Sequence, residues 1–115
     1  MPSGIGMKNK KDPGVKQDEY DKAWERTEGC CEICGSNKMV QAHHAFRRRE
    51  YWGKDRHKAW NLVMLDSKGQ DSCHKQAETS GTEADRKAKQ MALRRHSGEN
   101  KGQLLKLFKS KGYEY

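Results

Sequence analysis

Apolar residues are sparse in this chain and come in short groups, each with its own spacing. Tyr20, Ala23 and Trp24 lie three and four apart within Asp18 to Glu28, which is one face of a short helix, and Gly29 supplies the stop. Cys31 to Gly35 reads as a tight turn. From Lys38 to Ala45 the pattern alternates, with Val40 and Ala42 on one face and Met39 and Gln41 on the other, so a strand is predicted. The run from Trp60 to Leu65 supplies a second strand, bounded by polar turn residues. A helix follows from Cys73 to about Thr79 and breaks near Ser80 and Gly81. Thr82 then has the chemistry of a helix cap, with Glu83 and Asp85 in the first turn, and Ala84, Ala88, Met91 and Ala92 form an apolar face up to about His96. Beyond Ser97 and Gly98, Leu104, Leu105, Leu107 and Phe108 mark a short amphipathic helix suited to packing.

This pattern predicts an α+β domain over 17–96, a packed C-terminal segment over 97–115 and a basic, mobile tail over 1–16. Hydrophobic residues make up 32% of the chain and charged residues 35%, so its core is small for the entropy it must offset. A bound metal is the natural staple for such a domain. Lysine and arginine number 24 against 16 acidic residues, and the net charge of +8 favours a polyanionic partner. No apolar run approaches the roughly 20 residues of a membrane span. The expectation is a soluble, cytoplasmic protein without a membrane partner. In a reducing compartment its four cysteines read as metal ligands before they read as disulfides.

Cys31 and Cys34 have the C-x2-C spacing that lets one turn present two thiolates to a single ion while its amides point at the sulfurs. Redox proteins use that spacing too, but Cys73, adjoining His74, favours structural Zn²⁺. The alternative is that these thiols survive as small buried packing groups. His43 and His44 are neighbours on the first predicted strand and project to opposite sides. Such a pair is poorly built to chelate one ion together and well suited to flank a phosphate. The alternation does not say which histidine does what.

The knuckle Cys31-Glu32-Ile33-Cys34-Gly35, the doublet His43-His44, then Asn61-Leu62-Val63 and Cys73-His74, in this order, resemble the HNH endonucleases over roughly Gly29 to Glu78. That resemblance implies a small ββα-metal core with a zinc knuckle and flanking helices. It implies a phosphodiester hydrolase that nicks or cuts DNA at a single-metal site. By position, His43 and His74 would hold the catalytic cation (Mg²⁺, Mn²⁺ or Ni²⁺), and His44 would be the general base. Asn61 would hydrogen-bond the backbone of the loop that aims His44. Where the family pattern has a second C-x2-C, the residue three before Cys73 is Gln70, and a small insertion is expected around Ser67 to Gln70. The fourth zinc ligand is therefore open among Asp66, Asp71, Cys30 and His57.

Phe46 to Trp60 is the most basic and aromatic stretch of the chain. Arg47, Arg48, Arg49, Lys54, Arg56 and Lys58 are its candidate nucleic-acid contacts, with phosphates clamped beside the cut. Tyr51, Trp52 and Trp60 read as core fillers ahead of base-stackers. Arg86, Lys87, Lys89, Arg94 and Arg95 make the later helix either a solvated charged face or a DNA contact. One site per chain means that cutting both strands needs a homodimer or two encounters, and a phage protein is a further possible partner. A non-catalytic zinc-knuckle module that binds nucleic acid within a larger assembly is the competing reading.

Overall fold

A computed structural model describes residues 14–47, 50, 51, 53–69, 71–96 and 98–115. Helix α1 (Gln17–Thr27) is followed by strand β1 (Val40–His44), strand β2 (Leu62–Asp66), and helices α2 (Cys73–Ala77), α3 (Glu83–Arg95) and α4 (Lys101–Ser110). The strands form an antiparallel two-stranded sheet that pairs Val40 with Asp66 and His44 with Leu62. This is an α+β fold. No helix among the described residues is long and apolar enough to cross a membrane.

Both faces of the small sheet are covered, which explains why β2 is apolar at successive positions. On one face, Leu62, Met64 and Val40 pack against Tyr20, Ala23 and Trp24 of α1. On the other, Val63 and Leu65 belong to one buried cluster with Phe46, Ala88, Leu93, Leu104 and Phe108. Val15 is buried against α1, so the folded region begins inside the stretch expected to be tail. The rest of that tail, 1–13, lies outside the described residues.

Helix α1 ends as its sequence requires. Glu28 and Gly29 both take left-handed backbone, and the Gly29 amide donates to the Trp24 carbonyl at 3.1 Å. A side chain at Gly29 would sit 2.8 Å from the Trp24 indole. The second strand starts later than its apolar run, because Ala59–Asn61 forms a 3₁₀ turn. Likewise β1 begins at Val40, after a turn in which Met39 has positive φ.

A two-stranded sheet leaves edge groups to satisfy. On the outer side of β2 the Glu32 amide donates to the Met64 carbonyl at 2.8 Å, and the Met64 amide donates to the Glu32 carboxylate at 2.8 Å. Arg26 donates to the Leu62 carbonyl at 2.6 Å, and both Arg26 and Arg95 pair with Glu32. The turn between Cys31 and Cys34 is thus stitched to β2, α1 and α3.

Charge also lies inside the fold. Lys89 is fully buried, with its ammonium 2.5 Å from Asp85 and 3.3 Å from Glu50. Tyr113 donates to the other Asp85 oxygen at 2.6 Å, and Lys111 lies 2.7 Å from Glu50. This network ties the loop after β1 to α3 and the C-terminal segment. It corrects the reading of α3 as a uniformly solvated or DNA-facing charged surface: Lys89 serves the core and Arg95 serves Glu32.

Candidate metal centre and histidine cluster

The knuckle forms because its backbone closes on itself. The Gly35 amide donates to the Cys31 carbonyl at 3.0 Å, and the Cys31 amide donates to the Ser36 carbonyl at 2.7 Å. The amides of Ile33 and Cys34 point at the Cys31 sulfur at 3.4 and 3.5 Å, as C-x2-C geometry predicts. Cys73 comes from the first turn of α2, a five-residue helix capped by Ser72, whose hydroxyl accepts from the Lys75 amide at 3.2 Å.

The remaining corner belongs to Asp66, at the end of β2. One ligand atom from each of Cys31, Cys34, Cys73 and Asp66 lies within 4.8 Å of all the others. Around a tetrahedral zinc with bonds of ~2.3 Å the ligand atoms sit about 3.8 Å apart, so a small contraction closes the set. These four residues are positioned to hold a metal ion, and three sulfurs with one carboxylate suit a borderline-soft cation. Burial pushes the Cys73 thiol up, and the neighbouring Asp66 carboxylate adds to the effect. Burial alone would raise Asp66, but hydrogen bonds from the three thiols hold its carboxyl below the usual range. Loading a cation must therefore displace protons from the sulfurs.

The histidines divide between the faces of the sheet. His43 pairs with Val63 and shares its face, whereas His44 pairs with Leu62 and shares the face of α1. His43 meets His74 edge to face, with ring centroids 5.2 Å apart. It is only 4% exposed, and its Nε2 has no hydrogen-bond partner among the described residues. Burial, aided by the nearby His74, Lys89 and Arg47, lowers its pKa to about 3, so the ring is neutral at ordinary pH. His74 is also lowered, mainly by burial, with the Glu78 carboxylate opposing. That carboxylate lies 3.4 Å from His74 Nδ1, which favours the proton there and leaves Nε2 as a ligating nitrogen.

His44 meets His57 instead, with Nε2 of the first 3.1 Å from Nδ1 of the second. Asn61 is completely buried and fastens the intervening loop. Its Oδ1 accepts from the Phe46 amide at 2.8 Å, and its Nδ2 donates to the carbonyls of Phe46 at 2.9 Å and Arg56 at 2.8 Å.

The basic stretch is less uniform than its composition. Arg47 donates through Nε to Glu50 at 3.3 Å and through Nη1 to the Glu78 carbonyl at 2.5 Å, so its guanidinium is engaged inside the fold. Lys58 is exposed, 3.9 Å from Glu19, and Arg56 is half-buried. Arg48, Arg49, Trp52 and the Lys54 side chain lie outside the described structure. Tyr51 is buried and Trp60 stacks on His96 at 4.0 Å, so both fill space as expected. By sequence, His57 is a candidate only for the fourth zinc ligand, and nothing in the spacing marks Glu78. His57 lies thirteen residues from His44, and no local spacing signals their pairing.

No family model, curated protein or solved structure matches this chain.

Proposed function

We propose that this protein is a metal-dependent DNA endonuclease whose ββα-metal, HNH-type site is built from His43, His44, Asn61 and His74. The observation that carries the reading is the buried Nε2 of His43, which lies beside the ring of His74 and has no hydrogen-bond partner among the described residues. A buried polar atom without a partner is costly, and a cation held between the two imidazoles would remove that cost. Their neutral state and the Glu78 carboxylate behind His74 suit ligation. A divalent cation bound there would polarise the scissile phosphate and stabilise the departing oxygen.

His44, on the opposite side of the same strand end, would take a proton from the attacking water. Asn61 would hold the loop that follows His44 at fixed height over β2, leaving the base little freedom to swing. Cys73 would anchor the start of α2 to the knuckle and so set where His74 sits. The excess of basic residues would draw a polyanion to the surface and make binding fall with salt. Zinc is the proposed occupant of the Cys31, Cys34, Cys73 and Asp66 site.

The test is cleavage of supercoiled plasmid with Mg²⁺, Mn²⁺ or Ni²⁺, wild type beside His44→Ala and His74→Ala. Metal-dependent nicking abolished by both substitutions supports the reading. A product indifferent to His44 overturns it. The second reading, a non-catalytic metal-knuckle module that binds nucleic acid, has its own observation: among the described residues only the cysteine cluster brings three or more ligand groups together. It is favoured if DNA binds in a salt-dependent way without being cut.

A further inference from the structure

We infer that His57 is a positioning residue for His44, fixing the tautomer and direction of its ring; as a catalytic statement this rests on the nuclease reading above. His44 closes β1, and His57 closes the 3₁₀ turn Lys54–His57. Their rings stand nearly perpendicular, at 80°, with centroids 5.2 Å apart and Nε2 of His44 3.1 Å from Nδ1 of His57. Where both rings are neutral, imidazole nitrogens at that separation share one proton. When His44 donates from Nε2, His57 accepts at Nδ1 and the basic lone pair of His44 is on Nδ1. The opposite assignment would spend the His44 Nε2 lone pair on His57 and leave a proton on Nδ1.

Backbone geometry fixes the spacing of this pair. The buried Asn61 amide holds Phe46, two residues beyond His44, and the carbonyl of Arg56, immediately before His57. The turn is closed on both sides, with the Arg56 amide donating to Gly53 at 3.1 Å and the Lys58 amide donating to Asp55 at 3.0 Å. One asparagine therefore pins the backbone on both sides of the imidazole contact. This also gives the middle residue of the motif a consequence for the base itself: if Asn61 lets go, His57 leaves with the loop.

The experiment uses the full-length, metal-loaded protein and two readouts. Nitrogen-15 NMR of the histidine side chains, recorded without DNA, assigns the His44 tautomer in wild type, His57→Ala and His57→Gln. Plasmid cleavage with Mn²⁺ gives kcat and KM for the same three proteins. The inference expects the His44 proton on Nε2 in wild type, a mixed tautomer in His57→Ala, and recovery in His57→Gln, whose side-chain oxygen can accept. It expects kcat to fall about tenfold in the alanine variant, with KM within about twofold, and most of kcat to return in the glutamine variant. A wild-type His44 protonated on Nδ1, or a His57→Ala protein with unchanged tautomer and kcat, overturns it. If the tautomer shifts but no variant nor wild type cuts DNA, the pairing stands and the nuclease reading falls. If cutting depends on His44 and not on His57, only the positioning role is lost.

Discussion

Cys34 donates its thiol proton to Asp66 at 3.2 Å across thirty-two residues of sequence, and this contact joins the knuckle to the end of the sheet. A carboxylate in that place is ready to become a ligand once the thiols are deprotonated. Purified protein is expected to carry one tightly held cation, measurable by elemental analysis, and a strong chelator should lower the melting temperature. Cys73→Ala should abolish retention of the ion. Asp66→Ala should weaken it by about tenfold or more, while Asp66→Cys should retain it. Equal metal content in wild type and Cys73→Ala would remove the site.

Asn61→Asp keeps the oxygen that the Phe46 amide uses but replaces the two donated hydrogens with a second acceptor. The carbonyls of Phe46 and Arg56 would then face a buried carboxylate. Loss of about 2–4 kcal/mol of stability is expected in urea denaturation, with histidine resonances of the loop displaced. A variant as stable as wild type would show that the amide is dispensable.

Acid should weaken the fold through Glu50. Burial alone would raise its carboxyl, but Lys111, Lys89 and Arg47 outweigh burial and hold it at about 2, against an ordinary 4.5. The unfolded chain therefore takes up a proton there before the folded one does, and stability drops as pH falls from 4.5 through 2. Glu50→Gln should flatten that part of the stability profile. It should also cost about 3 kcal/mol at neutral pH, because Lys89 keeps its charge in a buried place with one partner fewer.

Glu32→Ala removes the carboxylate shared by Arg26, Arg95 and the Met64 amide. An expected loss of about 2–3 kcal/mol in thermal or chemical denaturation follows from the buried groups left unpaired. Reduced metal retention should accompany it, since Glu32 lies between Cys31 and Cys34.

Local spacing made the helices and strands legible. The apolar positions Tyr20, Ala23 and Trp24, the Thr82 cap and the alternation from Val40 to Ala42 each act within a few residues, so the chain declares them directly. The C-x2-C turn was equally plain, with its amides aimed at sulfur. Asp66 stood among four possible ligands, and what singles it out is the strand register that pairs it with Val40. Lys89 looked like any surface lysine, because the groups that make its burial tolerable, Glu50 and Asp85, converge only in three dimensions. The separation of His43 from His44 followed from strand alternation, whereas the choice of His57 as partner depended on a loop whose path no spacing rule fixes.

The stitching of β2 by Glu32 and Arg26 bears on how copies of this chain can meet. A bare strand margin is a template on which a second molecule can lay its own backbone, and small sheets are prone to such growth. Here the polar groups of Leu62 and Met64 on that margin are already spoken for. A second copy approaching that margin would find no open backbone groups at Leu62 or Met64 on which to lay a strand.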